Sequence, residues 1–106
     1  MVIVLLRTRL RDGCDRAAVD ALEAQMYELA QRMPGFIAAE GAGDLGIIRF
    51  ESLAALRAWR DHPEHVAAQR RGRAELYASY RVEICELVRA YAYEADAGES
   101  TELPAR

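Results

Sequence analysis

The chain has 106 residues, 52% hydrophobic and 29% charged, enough for one globular domain and too few for two. The formal net charge of −3 lies wholly in the segment from Glu94 onward, where Glu94, Asp96, Glu99 and Glu102 face only Arg106, so residues 1–93 are neutral. A neutral body excludes the concentrated basic face that a nucleic-acid or anionic-membrane partner requires, and the absence of lysine excludes Schiff-base chemistry.

Val2, Val4, Leu6, Thr8 and Leu10 alternate with Ile3, Leu5, Arg7 and Arg9. This predicts a first strand buried on one face and half-buried on the other. Asp12 or Asp15 then caps a helix of about five turns, with Val19, Leu22, Met26, Leu29 and Met33 on its apolar stripe and Pro34-Gly35 as its stop. Phe36 to Glu40 and Gly46 to Glu51 read as strands joined by a glycine-rich turn. Ser52 caps a short helix bearing Leu53, Leu56 and Trp59; His62-Pro63 breaks it, and Pro63 opens a further helix to about Tyr80. Arg81 to Tyr93 is the last expected strand, and residues 94–106 form an acidic tail without periodicity, expected to be disordered.

The order strand, helix, strand, strand, helix, strand predicts an α+β fold: a ferredoxin-like β-α-β-β-α-β domain over residues 1–93, with an antiparallel sheet and helices on one face. The open face begins with Ile3 and Leu5, and a second copy placed sheet to sheet would cover it. No apolar run reaches the ~18 residues of a membrane span, Met1 to Leu6 is too short for a signal peptide, and Cys14 and Cys85 make no disulfide framework. A cytoplasmic protein is expected.

At about 100° per residue, His65, Leu76, Gln69, Tyr80, Arg73, Val66 and Tyr77 share one arc of the helix after Pro63, opposite an alanine-rich arc. Either the large residues line a small-molecule pocket against the sheet, or the alanines pack inward and the polar residues meet solvent. His62 and His65, with Asp61 and Glu64 beside them, have no third ligand at a convincing spacing, so no metal is assigned. Gly41, Gly43 and Gly46 match the letters of a dinucleotide fingerprint but lead into a strand, so the match is spurious.

The string Ala58-Trp59-Arg60-Asp61-His62-Pro63-Glu64-His65-Val66-Ala67-Ala68-Gln69-Arg70-Arg71-Gly72-Arg73, with Leu76, Tyr77 and Tyr80, resembles the antibiotic biosynthesis monooxygenase superfamily. Pro34-Gly35-Phe36 and Ile48-Arg49-Phe50-Glu51-Ser52 fit the same pattern, and the resemblance spans residues 2 to about 93. It implies a homodimeric α/β barrel and a cofactor-independent oxygenase that oxidises phenolic, polyketide-like aromatics with O₂. On that footing Trp59 is the pocket wall and His65 the proton acceptor. Leu6, Phe50, Gln69, Arg73, Leu76 and Tyr77 are the substrate-binding candidates, with Arg73 and Tyr77 orienting the substrate. Family oxygenases carry an asparagine one turn before the tryptophan, where this chain has Ala55. The haem-degrading branch has an asparagine on the first strand and an iron-ligating histidine beyond the tryptophan, where this chain has Leu6 and Gln69. A non-oxidative cyclase or isomerase using the same base, and a ligand-binding dimer without catalysis, are the alternatives.

Overall fold

In the computed structural model, which describes residues 1–96 and 98–104, the alternating segment Val2–Leu10 is strand β1. Phe36–Ala42 (β2), Leu45–Phe50 (β3) and Tyr77–Glu86 (β4) join it in an antiparallel sheet of order β2-β3-β1-β4. Register assigns the faces. Val4 stands between Ile48 and Ile84, and Leu6 between Gly46 and Val82. Val2, Val4, Ile48 and Phe50 are buried on this inner face, which the helices cover, while Ile3, Leu5 and Ile47 on the outer face stay half-buried.

Local chemistry sets the helix ends. The Asp15 carboxylate accepts the Ala17 N–H at 3.0 Å and starts Arg16–Arg32 (α1). Ser52 Oγ accepts the Ala55 N–H at 3.1 Å and starts Leu53–Arg60 (α2). His62 Nδ1 accepts the Glu64 N–H at 3.1 Å, with Pro63 in the first turn, and starts Pro63–Arg71 (α3). Val19 and Leu29 of α1, Leu56 of α2 and Phe50 of β3 are the most deeply buried large side chains. Gly35, at φ 85°, turns the chain from α1 into β2, and a Cβ there would come within 2.7 Å of the Ala55 Cβ. Glycine is therefore required twice over, by conformation and by the approach of α2. Among the described residues no helix is long and apolar enough to cross a membrane.

Three expectations are corrected. The helix after Pro63 ends at Arg71, not near Tyr80. A π-type turn follows over Gly72–Leu76, in which the Tyr77 N–H reaches the Gly72 carbonyl, and the Tyr77 ring would lie 2.7 Å from a Cβ on residue 72. The last strand of the sheet accordingly begins four residues earlier than expected, because Tyr77 to Glu86 can pair with β1, Tyr80 opposite Thr8 and Val82 opposite Leu6. Finally, the described residues beyond the sheet are not an unstructured tail: Ala90–Glu94 (β5) and Glu99–Leu103 (β6) form an antiparallel ribbon, tied by an Arg89–Glu102 ion pair, while residues 97, 105 and 106 of the expected tail lie outside the described residues. The boundary expected at residue 93 falls inside that ribbon. The ribbon projects from the body, which accounts for a radius of gyration of 15.9 Å where a compact chain of this length has about 13 Å.

Candidate functional site

Between the inner sheet face and the three helices lies a cavity of about 150 Å³. Val4, Leu6 and Thr8 of β1, Ile48 of β3, and Tyr80, Val82 and Ile84 of β4 form its floor. Leu22 and Met26 of α1, Leu56, Trp59 and Arg60 of α2, and His65, Ala68 and Gln69 of α3 form its roof, with Tyr77 at one side. An apolar hollow with a few convergent polar groups has the composition of a small-molecule site.

Trp59 is only 6% exposed and its ring lies between two others, 5.6 Å from the Phe50 centroid and 4.4 Å from that of His65, edge-on to the imidazole at 74°. The indole Nε1–H donates to the Met26 carbonyl at 3.1 Å. That bond locks α2 to α1, so what Trp59 offers a ligand is its ring. His65 Nδ1 is buried and has no protein partner. Leaving a buried polar atom unsatisfied costs about 1–3 kcal/mol. Burial holds the imidazole pKa below the usual 6.5, and the Arg60 guanidinium lowers it further; Asp61 opposes, and His62 adds to the lowering. His65 is thus neutral at neutral pH, with a lone pair to accept a proton.

This shift makes a stability prediction. As pH falls below about 6.5, the unfolded chain takes up a proton at His65 before the folded chain does, so stability declines. His65→Phe should flatten the slope of unfolding free energy between about pH 5 and 7. Identical slopes in the variant and parent would show that His65 ionises freely in the fold.

The structure sorts the remaining candidates. Leu6, Gln69 and Tyr77 line the cavity. Phe50 does not: it is fully buried behind Trp59 and belongs to the core. Leu76 does not either, being packed with Val19, Leu22 and Ala68 in a second core cluster. Arg73 is not among the lining residues; its Nε–H donates to the Tyr80 hydroxyl and its guanidinium sits 5.5 Å over the Tyr80 ring. Ala55, at the place of the family asparagine, packs against Gly35 and is not among the lining residues. The sequence reading missed Arg60, Met26 and Thr8. Thr8 was legible from the even-numbered face of β1 and Met26 from the apolar stripe of α1; Arg60, in the last turn of α2, carried no such signal. His62 Nδ1 is occupied as the α3 cap, and among the described residues no three His, Cys, Asp or Glu side chains gather as a metal site.

No known family profile matches the chain. It is 29% identical over 80 residues to the uncharacterized protein YqjZ of Bacillus subtilis, covering 71% of this chain and 70% of that one. Among solved structures it is similar to a point variant of SnoaB, a cofactor-independent oxygenase from Streptomyces nogalater, with TM-score 0.68 and 17% identity over 84% of this chain and 94% of the other. A dimeric ferredoxin-like protein of unknown function from Thermobifida fusca matches with TM-score 0.63 and 17% identity, over 79% and 88% of the two chains. A candidate antibiotic biosynthesis monooxygenase from Nitrosomonas europaea matches with TM-score 0.66 and 9% identity, over 80% and 96%. The chain has the α+β ferredoxin-like fold of these proteins, and they include one of the kind its Trp59-to-Tyr80 segment resembles.

Proposed function

We propose that the chain is a cofactor-independent oxygenase of phenolic, polyketide-like aromatic compounds, with His65 as proton acceptor and Trp59 as pocket wall. The observation that carries this reading is the half-buried His65 imidazole on the wall of an apolar cavity, held edge-on to Trp59. A base in such a place can deprotonate an anthrone-type substrate. The Arg60 guanidinium on the cavity wall then stands by the resulting anion. The anion gives one electron to O₂, and the radical pair closes a carbon–peroxide bond. The His65 proton returns to the distal oxygen, the O–O bond breaks, and the remaining C–H proton leaves with hydroxide as water. One O₂ supplies one quinone oxygen and one water. The protein's part is to bind, deprotonate and exclude bulk water. Oxygen uptake with an anthrone tests it: one O₂ should be consumed per quinone formed, without added flavin or metal.

A non-oxidative cyclase or isomerase using the same base is the second reading. Ala55 faces Gly35, and the Trp59 N–H is held by Met26, so neither donates to a peroxide. Product without oxygen uptake would establish this reading over the first.

We also propose that two copies associate through the outer sheet face, where Ile3, Leu5 and Ile47 are half-buried with no helix over them, to form the barrel. Free Cys14 and Cys85 fit a reducing cytoplasm. An interface of this type buries on the order of 2,000 Å² or more. Light scattering should give twice the 11.9 kDa chain mass at micromolar concentration; a monomer mass would remove the barrel.

A further inference from the structure

A second hollow, of about 280 Å³, adjoins the first and is built from different chemistry. Leu6 and Thr8 line both. Along α1 the division follows helical geometry: Leu22 and Met26 face the apolar chamber, while Glu23 and Tyr27, each one residue on, face the second. On the sheet the annex exists because Gly46, opposite Leu6, places no side chain on the inner face. A Cβ at residue 46 would lie 2.7 Å from the Tyr27 hydroxyl, so the glycine lets that hydroxyl reach the sheet. Tyr77, from the wall of the apolar chamber, interacts electrostatically with the Glu23 carboxylate.

Size and charge both bear on the occupant. A chamber of 150 Å³ matches the engineered apolar cavity that holds a single benzene ring. The reaction proposed above needs a fused-ring substrate, and the two chambers together enter the range of about 300–1,000 Å³ usual for small-molecule sites. The annex is lined by the acidic residues Glu23 and Asp44 and by the Tyr27 phenol as a donor, and no cationic side chain is among its lining residues. That set suits a neutral group that both donates and accepts, and it repels carboxylate or phosphate heads.

We infer that the site is two-chambered, and that its ligand is an elongated fused-ring aromatic whose far end bears a hydroxyl held by Glu23 and Tyr27. This rests on the small-molecule reading of the His65 cavity and adds which end of the ligand is recognised, and by what. Burial raises the Glu23 pKa and the Tyr27 pKa, as it does for Tyr77, pushed up to about 12, so both phenols stay protonated as donors.

Calorimetric titration of the full chain with 2-naphthol and with 2,6-dihydroxynaphthalene tests the inference. The diol, with hydroxyls at opposite ends, should bind about fivefold or more tightly than 2-naphthol, the usual worth of one added hydrogen bond. In Glu23→Gln and in Tyr27→Phe that preference should fall to about twofold or less. Two substitutions on separate turns keep the test alive if one of them unfolds the chain. The annex is overturned if the parent shows no preference, or if the preference survives both substitutions. If neither probe binds, the small-molecule reading fails and takes the annex with it. If 2-naphthol binds and the diol gains nothing, only the annex is lost.

Discussion

Replacing His65 with alanine should slow turnover by about 10²- to 10⁴-fold, the usual worth of a positioned base, with a much smaller change in KM. The split follows from the cavity. Binding comes from apolar walls on all three helices and the sheet, which the substitution leaves in place, whereas the proton acceptor is a single side chain, His65. Because burial and Arg60 hold the imidazole pKa below 6.5, the parent rate should stay level through neutral pH and fall only on the acid side of that value. A phenol acidic enough to arrive ionised should escape most of the defect, since nothing remains for the base to remove. A His65→Ala enzyme that turns over at the parent rate from about pH 6 to 9 would end the base assignment.

Much of the fold was legible because the relevant physics is local. Asp15, Ser52 and His62-Pro63 start helices through hydrogen bonds that span only two or three residues. The alternation of Val2, Val4, Leu6 and Thr8 names the inner sheet face without reference to any partner strand. The chain after Arg71 was misread because Tyr77, Tyr80 and the alanines between them and Gln69 satisfy a helical arc as well as a strand's alternation. Pairing with β1, through Thr8 opposite Tyr80, decides between the two periods, and a long-range contact of that kind leaves no local mark. The tyrosines still reach the cavity, since the floor of β4 and the roof of α3 enclose the same space.

A helical arc gives direction but not depth. Leu76 and Phe50 point to the right side of the molecule and then disappear into the core, while Arg73 stops one side chain short of the wall, at Tyr80. Motif matching fixed Trp59 and His65 as neighbours in sequence. That the imidazole would meet the indole at 4.4 Å with its Nδ1 orphaned depends on the break at His62-Pro63, which sets α3 against α2. Glu23 and Tyr27 carried no signal at all. On α1 they read as the polar border of an amphipathic helix, and only the missing side chain at Gly46 makes a hollow beside them.

Trp59→Ala should destabilise the fold by about 3–5 kcal/mol, the range for deleting a large buried aromatic. At 6% exposure the indole touches Phe50 on one side and His65 on the other, so its removal opens a void beside the existing cavity. The Met26 carbonyl loses the N–H that ties α2 to α1. Trp59→Phe separates these contributions: it keeps an aromatic wall and forfeits the hydrogen bond, so a loss of about 1–2 kcal/mol is expected. Urea unfolding at one fixed protein concentration measures both, the fixed concentration being needed because association shifts apparent stability. If Trp59→Ala costs under about 1 kcal/mol, the residue is not a core anchor. Activity then gives the complementary readout. Trp59→Phe should bind 2-naphthol nearly as well as the parent, because the ligand meets a ring face and the N–H is already spent on Met26. A sharp loss of binding in Trp59→Phe at parental stability would mean the indole N–H leaves Met26 for the ligand, and the tie between α1 and α2 would be part of the binding reaction.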